Sequence, residues 1–220
     1  YTHAGPEIAV ASTKAYTAQL SAFYMIAFRF AYVRKCLDAK DCSLAMNQLL
    51  TVIPEIEEVL TKTSDIEAIS KHLVKAENLF FIGRSMDYAL SCEGSIKLKE
   101  ISYIHSEAYA AGELKHGTLS LVTEGVPVVA LATQHKVYSK MISNIREVKA
   151  RGAFVILVTR EGEEVEESLY DYKIVLPELN DEYAPFPAAV ISQLLAYYTS
   201  LHRGLNVDQP RNLAKSVTVE

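Results

Sequence analysis

Three short, uninterrupted apolar runs constrain this chain more than any other feature: "NLFFIG" (78–83), "VPVVALA" (126–132) and "AFVILVT" (153–159). They are rich in β-branched or aromatic residues and lack polar alternation, the pattern of strands covered on both faces in a parallel sheet. "YKIVLPE" (172–178) reads as a fourth strand and "SEAYAAG" (106–112) as a fifth, shorter one. Helical stretches at roughly 86–104, 137–151 and 186–203 separate them. Strand and helix in alternation predict the α/β class, a doubly wound sheet with right-handed crossovers. Ligands of such sheets sit beyond the carboxyl ends of the strands. That directs attention to Gly83-Arg84-Ser85, to Ala132-Thr133-Gln134 and to the segment after the 86–104 helix. A glycine turn after a strand is common and says little alone. No G-x-G-x-x-G, P-loop or metal-ligand spacing accompanies it.

Ahead of the strands the pattern is helical. Residues 12–35 contain no Pro or Gly and are apolar around most of the circumference, predicting a long, largely buried helix capped by Ser12 or Thr13. Its longest apolar run, "LSAFYMIAFRFAYV" (20–33), has 14 residues and an internal Arg29, too short for a bilayer span. "SLAMNQLLTVIPEIEEVL" (43–60) continues as helix, kinked or divided by Pro54. "TSDIEAISKHLVKA" (63–76) predicts a short amphipathic helix with Ser64 or Asp65 as cap. The chain has 220 residues, enough for one sizeable core or one domain and part of another. A formal charge of −5 leaves no basic face for nucleic acid. Cys36, Cys42 and Cys92 lack framework spacing, which suits a reducing, cytoplasmic setting. "YTHAGPEIAV" has neither the basic start nor the apolar core of a secretory signal, and it begins without Met, as a piece of a larger protein would.

Candidate chemistry concentrates in "CEGSIKLKEISYIHSEAYAAGELKHG" (92–117). At about 100° per residue, Leu90, Gly94, Leu98 and Ile101 share a core-facing arc, and Ser91, Ser95, Lys99 and Ser102 an arc expected to face solvent. Glu93, Lys97 and Glu100 fall together beside the apolar arc, where burial and neighbours shift pKa values. A plain ladder of i,i+3 and i,i+4 ion pairs would look the same. His116 lies between Gly112 and Gly117, which allow unusual backbone angles. It is either a structural or exposed histidine, or an acid–base group suited to neutral pH.

The chain closes with "DQPRNLAKSVTVE" (208–220). Termini are ordinarily polar and unpacked, yet Lys215 sits in an apolar-flanked run. A free lysine is neutral in roughly one molecule in 2,500 at pH 7. To attack a carbonyl it must be desolvated or placed near positive charge, and Arg211 is the nearby candidate. A solvated lysine is the plain alternative.

Three segments, "AGPEIAVASTKAYTAQL" (4–20), "EGSIKLKEISYIHSEAYAAGELKHG" (93–117) and the closing tail, resemble in order and spacing the isomerase half of the glucosamine-6-phosphate synthase family, the glutamine:fructose-6-phosphate aminotransferases. The resemblance spans essentially the whole chain, and the tail is its most specific part. It implies a pair of SIS (sugar-isomerase) domains, each a three-layer α/β/α sandwich around a five-stranded parallel sheet. Residues 1–40 would be the end of a first SIS domain, 41–205 the second, and 206–220 a tail closing the active site.

The family makes glucosamine 6-phosphate from fructose 6-phosphate and ammonia, in the first step of amino-sugar (UDP-N-acetylglucosamine) synthesis. A separate glutaminase domain releases the ammonia, and no cofactor or metal is implied. By motif, Lys215 would form a Schiff base at C2 of the open-chain sugar. Glu100 would move the proton between C1 and C2, with Lys97 assisting. His116 would promote ring opening, reaching in from a neighbouring subunit of a homodimer. Val10, Ser12 and Ala214 would line the sugar site.

The family's S-x-S-G-x-T phosphate loop and its glutamine-hydrolysing cysteine are absent from this sequence, so the fragment alone is expected to be inactive. Thr118 stands where the family has Pro after "KHG", a change affecting loop stiffness. Two other functions share parts of the pattern: another SIS sugar-phosphate isomerase or deglycase, against which the tail argues, and a non-catalytic SIS module sensing a sugar phosphate or nucleotide sugar.

Overall fold

Strands β1 (Asn78–Gly83), β2 (His105–Ala110), β3 (Pro127–Ala132), β4 (Phe154–Arg160) and β5 (Tyr172–Leu176) pair in parallel in the order β2-β1-β3-β4-β5. The computed structural model describes residues 1–177 and 179–215; Ser216–Glu220, the end of the expected tail, lie outside the described residues. Because successive side chains of a strand alternate faces, the apolar runs supply two cores at once. Leu79, Phe81, Val129, Leu131, Ile156 and Val158 point to one face. Phe80, Ile82, Val128, Ala130, Val155 and Leu157 point to the other. All twelve are at most 4% exposed. Burial of one such large side chain stabilises by about 1.5–3 kcal/mol before the entropy of ordering the chain is subtracted.

The first face is covered by α4 (Ser64–Leu73), α5 (Met86–Ser102) and α7 (Pro185–His202), the second by α6 (Tyr138–Lys149). The strand assignments hold with ends moved by one or two residues. β2 is not the shorter strand expected: it pairs with β1 along its whole length, from Asn78 opposite His105 to Gly83 opposite Ala110. From β1 the chain passes through α5 to the edge strand β2, then crosses back to β3 on the other side of β1. The loops at the carboxyl ends of β1 and β3 therefore part from each other, which makes that point the switch of the sheet.

The helices before the sheet depart most from expectation. α1 (Lys14–Val33) forms, but none of its residues is buried. Leu20, Tyr24 and Phe28 pack beside Val52, Tyr183 and Phe186, fastening α1 to α7. Phe23, Met25, Ile26, Phe30, Tyr32 and Val33 face outward and exposed. Apolar circumference signals burial only if something covers each side, and among the described residues nothing covers the outer side. Pro54 divides the next stretch: α2 (Ala39–Leu50) ends and α3 (Val52–Thr61) begins around Thr51. The proline ring cannot share a helix with the carbonyl four residues earlier, that of Leu50. Thr63, rather than Ser64 or Asp65, occupies the cap position of α4.

The serine arc of α5 is also corrected. Ser91, Ser95 and Ser102 are buried, and only Lys99 of that arc is exposed. α5 is enclosed between the sheet and α7, so almost its whole circumference is covered. The serines meet this by hydrogen-bonding backbone carbonyls: Ser91 to Asp87 (2.7 Å), Ser102 to Leu98 (2.6 Å), and Ser95 across to Ser106 of β2 (2.9 Å). Leu90, Gly94, Leu98 and Ile101 are buried as expected. A Cβ on Gly94 would come within 2.8 Å of Phe81 Cε1 and 3.1 Å of Ser192 Cβ, so glycine lets α5 approach β1 and α7.

Candidate active site

The described part of the tail, as far as Lys215, docks, and the first twelve residues form one side of the dock. The Lys215 ammonium donates to Glu7 Oε2 at 2.6 Å and lies 3.2–3.3 Å from the carbonyls of Val10 and Ala9 and from Ser12 Oγ. The Val10 N–H donates to the Asp208 carbonyl at 2.9 Å, pairing the loop with the tail once more. Glu7 is only 6% exposed at its side chain, while that of Lys215 is 46% exposed. Its other oxygen, Oε1, accepts the N–H groups of Thr13 and Ala15, both at 2.9 Å. Glu7 thus caps α1 in place of the expected Ser12 or Thr13 hydroxyl, for Thr13 stands at the cap position without a side-chain bond. Burial opposes the charge of Glu7, but the Lys215 ammonium, the two backbone N–H groups and Ser12 outweigh it and bring its pKa down to about 2.

Arg211 is not the cationic neighbour of Lys215 that the sequence suggested. Its guanidinium lies 4.1 Å above the Tyr103 ring, and the Arg211 backbone N–H donates to Tyr103 Oη at 2.7 Å. Tyr103 follows α5 in a left-handed conformation (φ 63°), so the tail is latched to the end of the helix that carries Glu100.

On α5 the three charged residues meet as their spacing requires. Lys97, 7% exposed at its side chain, donates to Glu100 Oε2 at 2.7 Å and lies 3.7 Å from Glu93 Oε1. Among the described residues, that buried Glu93 oxygen has no hydrogen-bond partner. Burial, with the charge of Glu100 added, raises the pKa of Glu93 against the opposing pull of Lys97. Tyr16, one turn into α1, is raised by burial and by the Glu93 charge, so α1 packs beside this group. Glu100 remains partly open to solvent.

His116 is not brought to either cluster within this chain. It ends a short 3-10 segment (Ala111–His116) following the edge strand β2, its ring exposed and 3.7 Å from Glu113 Oε2. Gly117 next to it has φ 148°, so one of the two expected glycines does take an angle that other residues rarely adopt; Gly112 does not. Thr118 opens the following 3-10 turn.

The sheet switch holds a separate cleft of about 500 Å³, lined by Ser85, Gln134, His135, Arg160 and Asp181 among others. Within it Arg160 pairs with Asp181, whose backbone carbonyl accepts from Gln134. Beneath it Asp87, 1% exposed, accepts the Thr133 N–H (2.7 Å) and hydroxyl (2.6 Å), joining the two loops.

The sequence reading missed two residues of the tail site, Glu7 and Tyr103. A signal existed for the first: an acidic residue shortly before a helix start complements the N-terminal partial charge. None existed for Tyr103, whose role depends on where the tail crosses.

The strand order and two covered faces define a doubly wound α/β protein. The SIS domain pattern matches residues 72–203, and the chain belongs to the SIS-domain family. The glutamine–fructose-6-phosphate aminotransferase (isomerizing) of Clostridium acetobutylicum is 49% identical over 220 residues, covering 100% of this chain and 36% of its own. The chain thus spans about a third of the length of the curated relatives it matches. Among solved structures, the C-terminal domain of glucosamine-fructose-6-phosphate aminotransferase from Francisella tularensis superimposes with a TM-score of 0.89 at 36% identity, covering 93% of this chain and 58% of that one. Tagatose-6-phosphate ketose/aldose isomerase from Escherichia coli has a TM-score of 0.68 at 17% identity over 94% of this chain and 55% of its own, a likeness of fold.

Proposed function

We propose that the chain is the isomerase portion of a glutamine–fructose-6-phosphate aminotransferase, forming glucosamine 6-phosphate from fructose 6-phosphate and ammonia. One observation carries this reading above the others: a C-terminal lysine held by its tail against Glu7, Val10 and Ser12, with the same tail fastened to the end of the Glu100 helix. A sensing module without chemistry has no need of that arrangement. Identity of 49% along the full chain with a relative of that name supports the same reading.

In this proposal the neutral Lys215 amine adds to the C2 carbonyl of the opened sugar, and the carbonyl oxygen leaves as water. Ammonia then displaces the lysine at C2. The positive nitrogen makes the C1 proton acidic; Glu100 takes it and returns it to C2, while the O1 hydroxyl loses its proton as C1 becomes the aldehyde. Lys97, fixed between two carboxylates, assists at the oxygen. Val10, Ser12 and Ala214 line the sugar. His116 is exposed beyond an edge strand, which supports the reading that it serves a neighbouring subunit of a homodimer in ring opening.

Residues 1–40 belong to a first SIS domain, 41–205 to the second, and 206–220 are the closing tail. A preceding part of the protein supplies the phosphate loop, covers the apolar side of α1, and carries a glutaminase domain that feeds ammonia. The setting is cytoplasmic; among the described residues no helix is long and apolar enough to cross a membrane.

The test is Glu100→Gln in the full-length protein. Fructose 6-phosphate should still bind within a few-fold of wild type, and product formation should fall by at least about 100-fold, the usual worth of a positioned base. Unchanged product formation would refute the role of Glu100.

A further inference from the structure

Among the described residues, Lys215 Nζ donates to four oxygens: Glu7 Oε2, the carbonyls of Ala9 and Val10, and Ser12 Oγ. That environment matches an ammonium, which has three protons to give and no lone pair. Glu7 supplies the formal charge, and it is fixed from behind: Oε1 is occupied by the N–H groups of Thr13 and Ala15 at the start of α1, leaving Oε2 aimed at the tail. One carboxylate therefore joins a helix N-terminus to the amine.

We infer that Glu7 is a positioning residue for Lys215, storing the amine as an ammonium beside the Val10–Ser12 loop until the sugar arrives. The inference rests on the Schiff-base role proposed above. Glu7 does not act as the base that removes the ammonium proton. With a pKa of about 2, it holds a proton in roughly one molecule in 100,000 at pH 7, too weak a base for that task. Its contribution is charge and geometry. The same loop presents Ser12 and Val10, so storage keeps Nζ at the place where the proposed substrate binds rather than in bulk water.

Glu7→Gln separates the two functions of the side chain. The amide oxygen can still accept from Thr13 and Ala15, so the cap of α1 survives, while the negative charge facing Nζ is gone. Lys215 is trapped in the full-length protein with saturating fructose 6-phosphate and borohydride, and the label in the tail peptide is quantified against the amount of sugar bound. Label per bound sugar should fall several-fold in Glu7→Gln, because the carboxylate that holds Nζ beside Val10 and Ser12 is gone. Glu7→Asp, which keeps the charge but withdraws it by one methylene, should fall between the two. A loss of folding alone would lower bound sugar and label together and leave their ratio unchanged.

Equal label per bound sugar in wild type and Glu7→Gln overturns the inference while leaving the Schiff base intact. Should Glu7→Gln fail to fold, a wild-type ratio in Glu7→Asp overturns it equally. No label on Lys215 in the wild-type protein would sink the underlying reading instead.

Discussion

Asp87 is 1% exposed and accepts two hydrogen bonds from Thr133. Burial nevertheless dominates, and its pKa rises from 3.8 to about 6, with Asp181 adding to the effect and the Thr133 bonds opposing it. Below about pH 3.8 the group is protonated folded or unfolded and contributes nothing to the pH dependence. Between 3.8 and 6 the unfolded chain gives up the proton first, so stability falls as pH rises, and above 6 the loss is complete, up to roughly 3 kcal/mol. Glu7 has the opposite sign: its lowered pKa contributes stability above about pH 4.5 that disappears as pH falls through 2. Urea midpoints of wild type and Asp87→Asn between pH 4 and 7 separate the two groups. The wild type should carry a downward component through pH 6 that the variant lacks. A variant with the wild-type slope would show that the carboxylate is not the titrating group.

At the scale of elements, α5 matters most because Glu93, Lys97 and Glu100 share one side of it while the rest is pressed against β1, β2 and α7. Gly94 sets that approach. Gly94→Ala would force Phe81 or Ser192 to give way, since the nearest ring carbon would lie 2.8 Å from the new methyl. Overpacking of this kind costs about 1–3 kcal/mol, outweighing the up to ~1 kcal/mol that alanine gains in helix propensity. Chemical denaturation should read a net loss, and a stabilised variant would contradict the packing described. Here the limit of sequence legibility shows. The i,i+3 and i,i+4 spacing of the charged residues placed them together correctly, because that depends only on helical geometry. The serines were assigned to solvent because polarity was taken as exposure, whereas a hydroxyl can satisfy itself on a backbone carbonyl and be buried at little cost. The strands were readable from their unbroken apolar character. α1 was readable as a helix but not as exposed, since what covers a face is a property of neighbours. The cap of α1 was misassigned for a similar reason: Glu7 reaches it from outside the local turn.

On the scale of the whole molecule, the first twelve residues and the last described ones meet although some 200 residues lie between them in the chain. Glu7–Lys215, Val10–Asp208 and Tyr103–Arg211 are three independent ties between the tail and the body. They convert a terminus into part of a site. The family resemblance implied that Val10, Ser12 and Lys215 would share a site, but the charged partner of Lys215 is the anion Glu7 rather than the cation Arg211. The resting arrangement holds Nζ against a carboxylate, and the reaction proposed here has to release it.

That Lys215 is the residue joining the sugar is the claim on which everything functional depends, and it is open to direct measurement. The full-length protein is incubated with fructose 6-phosphate, reduced with borohydride, digested, and the modified peptide sequenced by mass spectrometry. The account predicts a stable hexitol 6-phosphate adduct on Lys215 and its absence in Lys215→Arg. An adduct on another lysine, or no adduct under turnover conditions, would contradict it.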